Sequence, residues 1–159
     1  MTFEAIRLVK TYTMQVPGTR DEVFPLLCPV REYEWVPYWD CNMVYSESGH
    51  AEKGCVFETN FPGRGDMTWI VTGYDPPQAI QYTIFKPASH VWDIEIDLTT
   101  LDSEQTRLIW RHTYTGLTPE GNQYLSGYTD ESHRAHLGLL ERALVHFLKT
   151  GKLIEEQRP

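Results

Sequence analysis

Two histidines carry the most chemistry in this sequence, because the local pattern turns both toward one interior. His112 sits in the alternation Leu108, Trp110, His112, Tyr114. His133 opens a run continued by Leu137, Leu140, Leu144 and Phe147, at spacings of 4, 3, 4 and 3. A neutral imidazole in apolar surroundings can orient a ligand or act as a general acid or base. The plainer reading of each is a satisfied core histidine. A metal site needs a third ligand, which Asp40 and Cys41 are not placed to supply, so neither metal nor cofactor is expected. His50, His90, His136 and His146 fall in loops or off the helical stripe and are expected to be solvated. Cys28, Cys41 and Cys55 are odd in number and lack CxxC spacing, which suits free thiols in a reducing cytoplasm. Neither Cys41 nor Cys55 has the histidine or helix N-terminus that activates a thiolate. The sequence has no Walker-type loop, nucleophile elbow or HExxH. Arg64-Gly65-Asp66 spells an adhesion tripeptide, but without an extracellular marker it reads as a chance match in a turn.

Aromatic residues gather around the same interior. Period-two alternation turns Tyr45, Phe57, Trp69, Tyr82, Trp92, Ile94, Trp110 and Tyr114 to one face of a sheet. Singly, each is an ordinary core residue. Together they suit an apolar concavity with a few polar groups, the usual form of a small-molecule site. The segment from Glu32 to Asp40 adds Trp35, Tyr38 and Trp39, either as a lid over the core or as the mouth of a cavity near Glu34 or Asp40. The expected ligand-binding set is therefore Trp35, Trp39, Phe57, Trp69, Tyr82, Trp92, Ile94, Trp110, His112, Tyr114, His133, Leu137 and Leu140. Tyr38 and Tyr128 are expected at the entrance, beside Phe24 and Leu27.

Several elements must hold these residues in place. Ala5 to Val16 alternates as a half-buried strand, with Lys10 its one misfit on the inner face. Thr19-Arg20-Asp21-Glu22 has the form of a capping box that opens a short helix kinked at Pro25. A second short helix is expected between Pro29 and Pro37. From Cys41 onward come six strands, and the carboxylates Asp93, Glu95 and Asp97 fix the outer face of one of them. Pairing across a hairpin near Ser103 sets Ile94 opposite His112, Ile96 opposite Trp110, Leu98 opposite Leu108 and Glu95 opposite Arg111. Parity fails between Val71 and Ile80, so a bulge is expected at the Asp75-Pro76-Pro77 turn. Thr118-Pro119-Glu120 starts one helix, and a long amphipathic helix, capped by Asp130 or Ser132, ends at Gly151. Gly138 lies off its apolar stripe, with no evident reason.

Composition bounds what such a chain can do. At 159 residues, 41% hydrophobic and 23% charged, it has the make-up of one globular domain spanning 1–159. A formal charge of −8 argues against nucleic acid or an anionic membrane as partner. No signal peptide and no apolar run of about 20 residues is present, so a cytoplasmic location without membrane insertion is expected.

In order and in local pattern the chain resembles the START-like, helix-grip superfamily (SRPBCC), which includes polyketide cyclase/dehydrase-like proteins, birch-pollen-allergen-like proteins and activators of the Hsp-type chaperone ATPase. The matching pieces are Val16-Pro17-Gly18-Thr19-Arg20-Asp21-Glu22-Val23-Phe24, Gly73-Tyr74-Asp75-Pro76-Pro77 ahead of Ile80, and Leu140-Glu141-Arg142-Ala143-Leu144-Val145-His146-Phe147-Leu148-Lys149-Thr150-Gly151. The resemblance covers nearly the whole chain and implies an α+β fold: a seven-stranded antiparallel sheet curved around the last helix, enclosing a hydrophobic cavity. It supplies no catalytic residue. The chain departs from the pattern in the long Thr118 to Ser132 connection, a candidate lid. The expected function is binding of a small apolar or aromatic, lipid- or polyketide-like ligand. The alternative is a cyclase or dehydratase using His112 or His133 as acid or base. A protein-interaction module would instead require an exposed apolar patch.

Overall fold

The computed structural model describes residues 2–155. Strand β1 (Arg7–Pro17) alternates as its sequence requires, burying Met14 and Val16 on the inner face. Lys10 occupies an inner position on that strand and pairs with His112 of the neighbouring one. Thr19 caps α1 (Arg20–Val23) through the reciprocal box with Glu22. Pro25 cannot donate to a carbonyl one turn back, so the chain tightens into a 3-10 turn over Phe24–Leu27. The second expected helix is one further 3-10 turn, Glu32–Glu34.

Six strands follow: β2 (Asn42–Tyr45), β3 (Val56–Phe61), β4 (Gly65–Asp75), β5 (Ala79–Lys86), β6 (His90–Asp102) and β7 (Gln105–Gly116). The sheet order is β1-β7-β6-β5-β4-β3-β2 with every pair antiparallel, which leaves β1 and β2 as edges. Across β6 and β7, Ile94 faces His112, Ile96 faces Trp110, Leu98 faces Leu108 and Glu95 faces Arg111, in the register deduced from the alternation. The bulge needed between Val71 and Ile80 lies inside β4, between Val71 and Gly73, and not at the proline turn. A register shift between Met43 and Tyr45 corrects another expectation: it turns Tyr45 outward, where it is 62% exposed.

Two helices complete the grip. α2 (Pro119–Ser126) starts at its cap Thr118 and packs beside β7. Gly121 brings it against the β5–β6 turn so closely that a Cβ there would lie 1.8 Å from the Ser89 carbonyl oxygen. Asn122 accepts from the Ile6 N–H at 2.9 Å and donates to the Glu4 carbonyl at 2.9 Å. These contacts pin the connection read as a candidate lid. α3 (Asp130–Thr150) buries His133, Leu137, Ala143 and Leu144 and lies closest to β1. Thr129, one residue earlier than expected, caps it by accepting from the Ser132 N–H. Gly151 ends it in the left-handed conformation at φ 69°, which a residue without Cβ adopts freely. Gly138 faces the Tyr12 hydroxyl, and a Cβ there would meet it at an ordinary 3.7 Å. The packing gives no reason for a glycine.

Candidate functional site

The inner face of the sheet carries a continuous aromatic assembly. Trp39 touches Phe57, Phe61 and Trp69; Trp69 touches Tyr82 and Trp92; Trp92 stacks on Tyr114 with centroids 5.2 Å apart. The resemblance implied a hollow on this face, where these rings pack against one another. Trp69 and Trp92 each remain 8% accessible, whereas Phe57 on the same face is fully closed. Ile94, Trp110 and Leu137 are buried around them, and Leu140 is half-buried. Trp35 lies under the surface, its indole donating to the Leu26 carbonyl at 2.7 Å. Tyr38 is exposed, while Trp39 and Tyr128 are half-buried. Phe24 and Leu27 are buried, and the Leu27 carbonyl accepts from the Tyr82 hydroxyl.

The polar groups cluster where β1, β7 and the start of α3 meet. The rings of His112 and His133 lie edge to face, centroids 4.7 Å apart. β7 supplies the first through its inward parity, and the second is the first inward residue of α3. Nδ1 of His112 accepts from the Trp92 indole N–H at 3.1 Å. An indole nitrogen only donates, so that bond places the proton of the neutral His112 ring on Nε2. His133 Nδ1 lies 3.3 Å from the Tyr128 hydroxyl. Burial, then the neighbouring His133, holds His112 well below the ordinary imidazole range; burial, then Lys10, lowers His133. Both rings are neutral at neutral pH. Nε2 of each, and Nε1 of Trp110, are buried without a hydrogen-bond partner.

Charged groups ring this end. Lys10, the misfit of β1, bonds Asp130 at 2.5 Å and lies 5.7 Å from the Tyr128 ring centre. Arg64, in the β3–β4 turn, acts electrostatically on Tyr114, Tyr128 and His136. A groove of about 470 Å³ opens between β1 and α3, with Lys10, Tyr12, Asp130, His133 and Arg134 among its walls. Among the described residues, no group of three His, Cys, Asp or Glu side chains is placed to hold a metal ion. No helix there is long and apolar enough to cross a membrane.

Two expectations of solvation are corrected. His90 is buried at the start of β6, its Nδ1 2.8 Å from the Ser89 hydroxyl and its ring stacked on Tyr124; burial and Lys86 lower its pKa to about 4. His136 is only partly exposed, and burial, then Arg64 and His133, bring it to about 4. Both positions had a signal: His90 is two residues before Trp92 on the same strand parity, and His136 is three after His133 on the helix. Glu32 was also missed. Protein surrounds its carboxyl, and desolvation raises its pKa well above the usual range, yet its side chain keeps part of its surface accessible. Its short turn has no periodicity to reveal a face. The acids expected near the mouth are engaged locally: Glu34 pairs with Arg31, and Asp40 accepts from Tyr33 at 3.0 Å.

The sequence matches no family model and no curated protein. Solved structures do match. Truncated norcoclaurine synthase from Thalictrum flavum superposes with a TM-score of 0.68 at 10% identity, over 94% of this chain and 98% of that one. DynU16, a protein of the dynemicin biosynthetic locus, gives 0.62 at 18% identity over 91% of this chain. The match spans about half of DynU16's length, 48%. The Mll3558 protein of Rhizobium loti gives 0.62 at 16% identity, covering 89% and 99%. The chain has the START-like helix-grip fold. In a helix-grip protein the gripped helix and the concave face share one interior, which is why residues as distant as Trp92, His112 and His133 converge here. At these identities the likeness establishes the fold, and any ligand must be argued from the residues themselves. Norcoclaurine synthase has also been solved with dopamine and hydroxybenzaldehyde bound.

Proposed function

We propose that this helix-grip protein binds a small, largely apolar or aromatic molecule at the histidine end of the grip, reached through the groove between β1 and α3. The observation that carries the reading is the trio of unpartnered buried nitrogens on Trp110, His112 and His133, beside aromatic faces that are not fully closed. Folded cores leave few such groups unsatisfied, so a cluster of them calls for a partner. Two small aromatic molecules bound to norcoclaurine synthase, a protein of the same fold, support the class of ligand. The test is a thermal-shift screen with lipids, sterols and aromatic polyketides. A ligand at 100 times its Kd stabilises by about 2.7 kcal/mol, a readily measured rise in Tm. If no member of the panel raises Tm, the reading fails.

An enzyme of cyclase or dehydratase type is the second reading, favoured by the contact of the two imidazoles. The roles divide. His112 offers an N–H and no free lone pair, so it suits a donor to developing negative charge. Base chemistry would fall to His133 in its other tautomer, with Nδ1–H donating to the Tyr128 hydroxyl and Nε2 carrying the free lone pair. Turnover of a polyketide substrate that is slowed in His112→Phe and lost in His133→Phe, both folded, would support this division. Turnover unaffected by either change removes the enzyme reading.

A further inference from the structure

We infer that the histidine end of the grip receives an oxyanion, the enolate or phenolate oxygen of an aromatic ligand, on the N–H groups of the adjoining Trp110, His112 and His133 rings. The inference deepens the small-molecule reading above and rests on it. It follows from tracing where each hydrogen must lie. The Trp110 indole can only donate, and nothing accepts from it. His112 receives the Trp92 N–H at Nδ1, so its own hydrogen sits on Nε2. The Tyr114 hydroxyl lies 3.4 Å from that Nδ1, but Trp92 is nearer and occupies its lone pair. The Tyr128 hydroxyl lies 3.3 Å from His133 Nδ1, and when it donates there the His133 hydrogen sits on Nε2 as well.

With Tyr128 donating, the cluster presents three unpartnered N–H donors and no acceptor. All three rings are more than nine-tenths buried, and they adjoin: Trp110 and His112 centroids are 6.1 Å apart, His112 and His133 4.7 Å. A water or a carbonyl oxygen presents two lone pairs, whereas an oxyanion presents three. The nearby cations favour the same charge. Lys10 acts on His133 more strongly than its partner Asp130 opposes it, and Arg64 acts on Tyr114, Tyr128 and His136, in a chain whose net charge is −8. Neutral donors fixed in a low-dielectric site stabilise such an oxygen without reorganising.

The test uses para-nitrophenolate and para-nitrotoluene, which share a shape and differ in the oxygen. The wild-type protein should bind the phenolate at least about tenfold more tightly. The absorbance of the bound phenol should show its ionisation shifted to lower pH than in water. In Trp110→Phe the preference should fall severalfold. Because that variant could misfold, the wild-type Trp110 indole N–H resonance is followed in parallel: it should move downfield with the phenolate and stay in place with nitrotoluene. Equal affinities with an unmoved indole resonance overturn the oxyanion inference and leave the container reading standing. Binding of neither probe overturns both.

Discussion

Lowering the pH from 7 to 4 should loosen the end of the grip that α2 closes, and His90 is the residue that makes it do so. Its ring is buried against Tyr124 of α2, and its pKa is brought down from 6.5 to about 4 by burial and by Lys86. The native state thus holds His90 neutral where the unfolded chain takes up a proton. Below about pH 6.5 the unfolded state binds more protons, so stability falls as the pH falls, and the effect is complete near pH 4. A difference of about 2.5 pH units corresponds to at most about 3 kcal/mol. Urea unfolding of the wild type and of His90→Phe at pH 7 and pH 4 isolates the effect, because phenylalanine keeps the stack and cannot titrate. His112, His133 and His136 are present in both proteins and cancel in the difference. The wild type should lose about 1–3 kcal/mol more than the variant on acidification, with faster amide exchange in α2. Equal losses would refute the reasoning.

Other outcomes follow from particular contacts. Gly121→Ala places a Cβ against the Ser89 carbonyl, where the backbone cannot yield cheaply, and should cost about 2 kcal/mol or more in urea unfolding. Gly138→Ala meets only ordinary contacts in mid-helix and should stabilise by about 0.5–1 kcal/mol, read as a rise in Tm. Glu32 keeps its proton to higher pH in the folded state than in the unfolded one, so it costs stability as pH rises above about 4.5. Glu32→Gln should therefore gain stability over the wild type at pH 8 and little at pH 4, in the same unfolding assay.

Where one face of an element is strongly marked, the sequence was a good guide to the molecule. Asp93, Glu95 and Asp97 on one side and Trp92, Ile94, Ile96 and Leu98 on the other gave the β6–β7 register residue by residue. The same alternation delivered His112 and the helical stripe delivered His133, so their convergence was legible before the fold was known. Irregular backbone erased the signal elsewhere. The shift beside Tyr45 and the bulge after Val71 each break period two, and sequence gives no local mark of where an extra residue will be absorbed. Lys10 was visible as a misfit, but its partner Asp130 lies 120 residues away and only the packing of α3 on β1 brings them together. The hydrogen-bond polarity that orients the site depends on Tyr114, Tyr128 and Trp92 meeting in space. No pattern in the chain encodes it.

A small aromatic molecule that enters the grip should meet its histidine end. The most direct measurement is the set of intermolecular NOEs between the protein and the compound that most raises its Tm in the screen. They should connect the ligand to ring protons of Trp92, Trp110 and His133. NOEs confined to outward residues such as Tyr45, Phe85 and Ile109, all exposed, would rule this out.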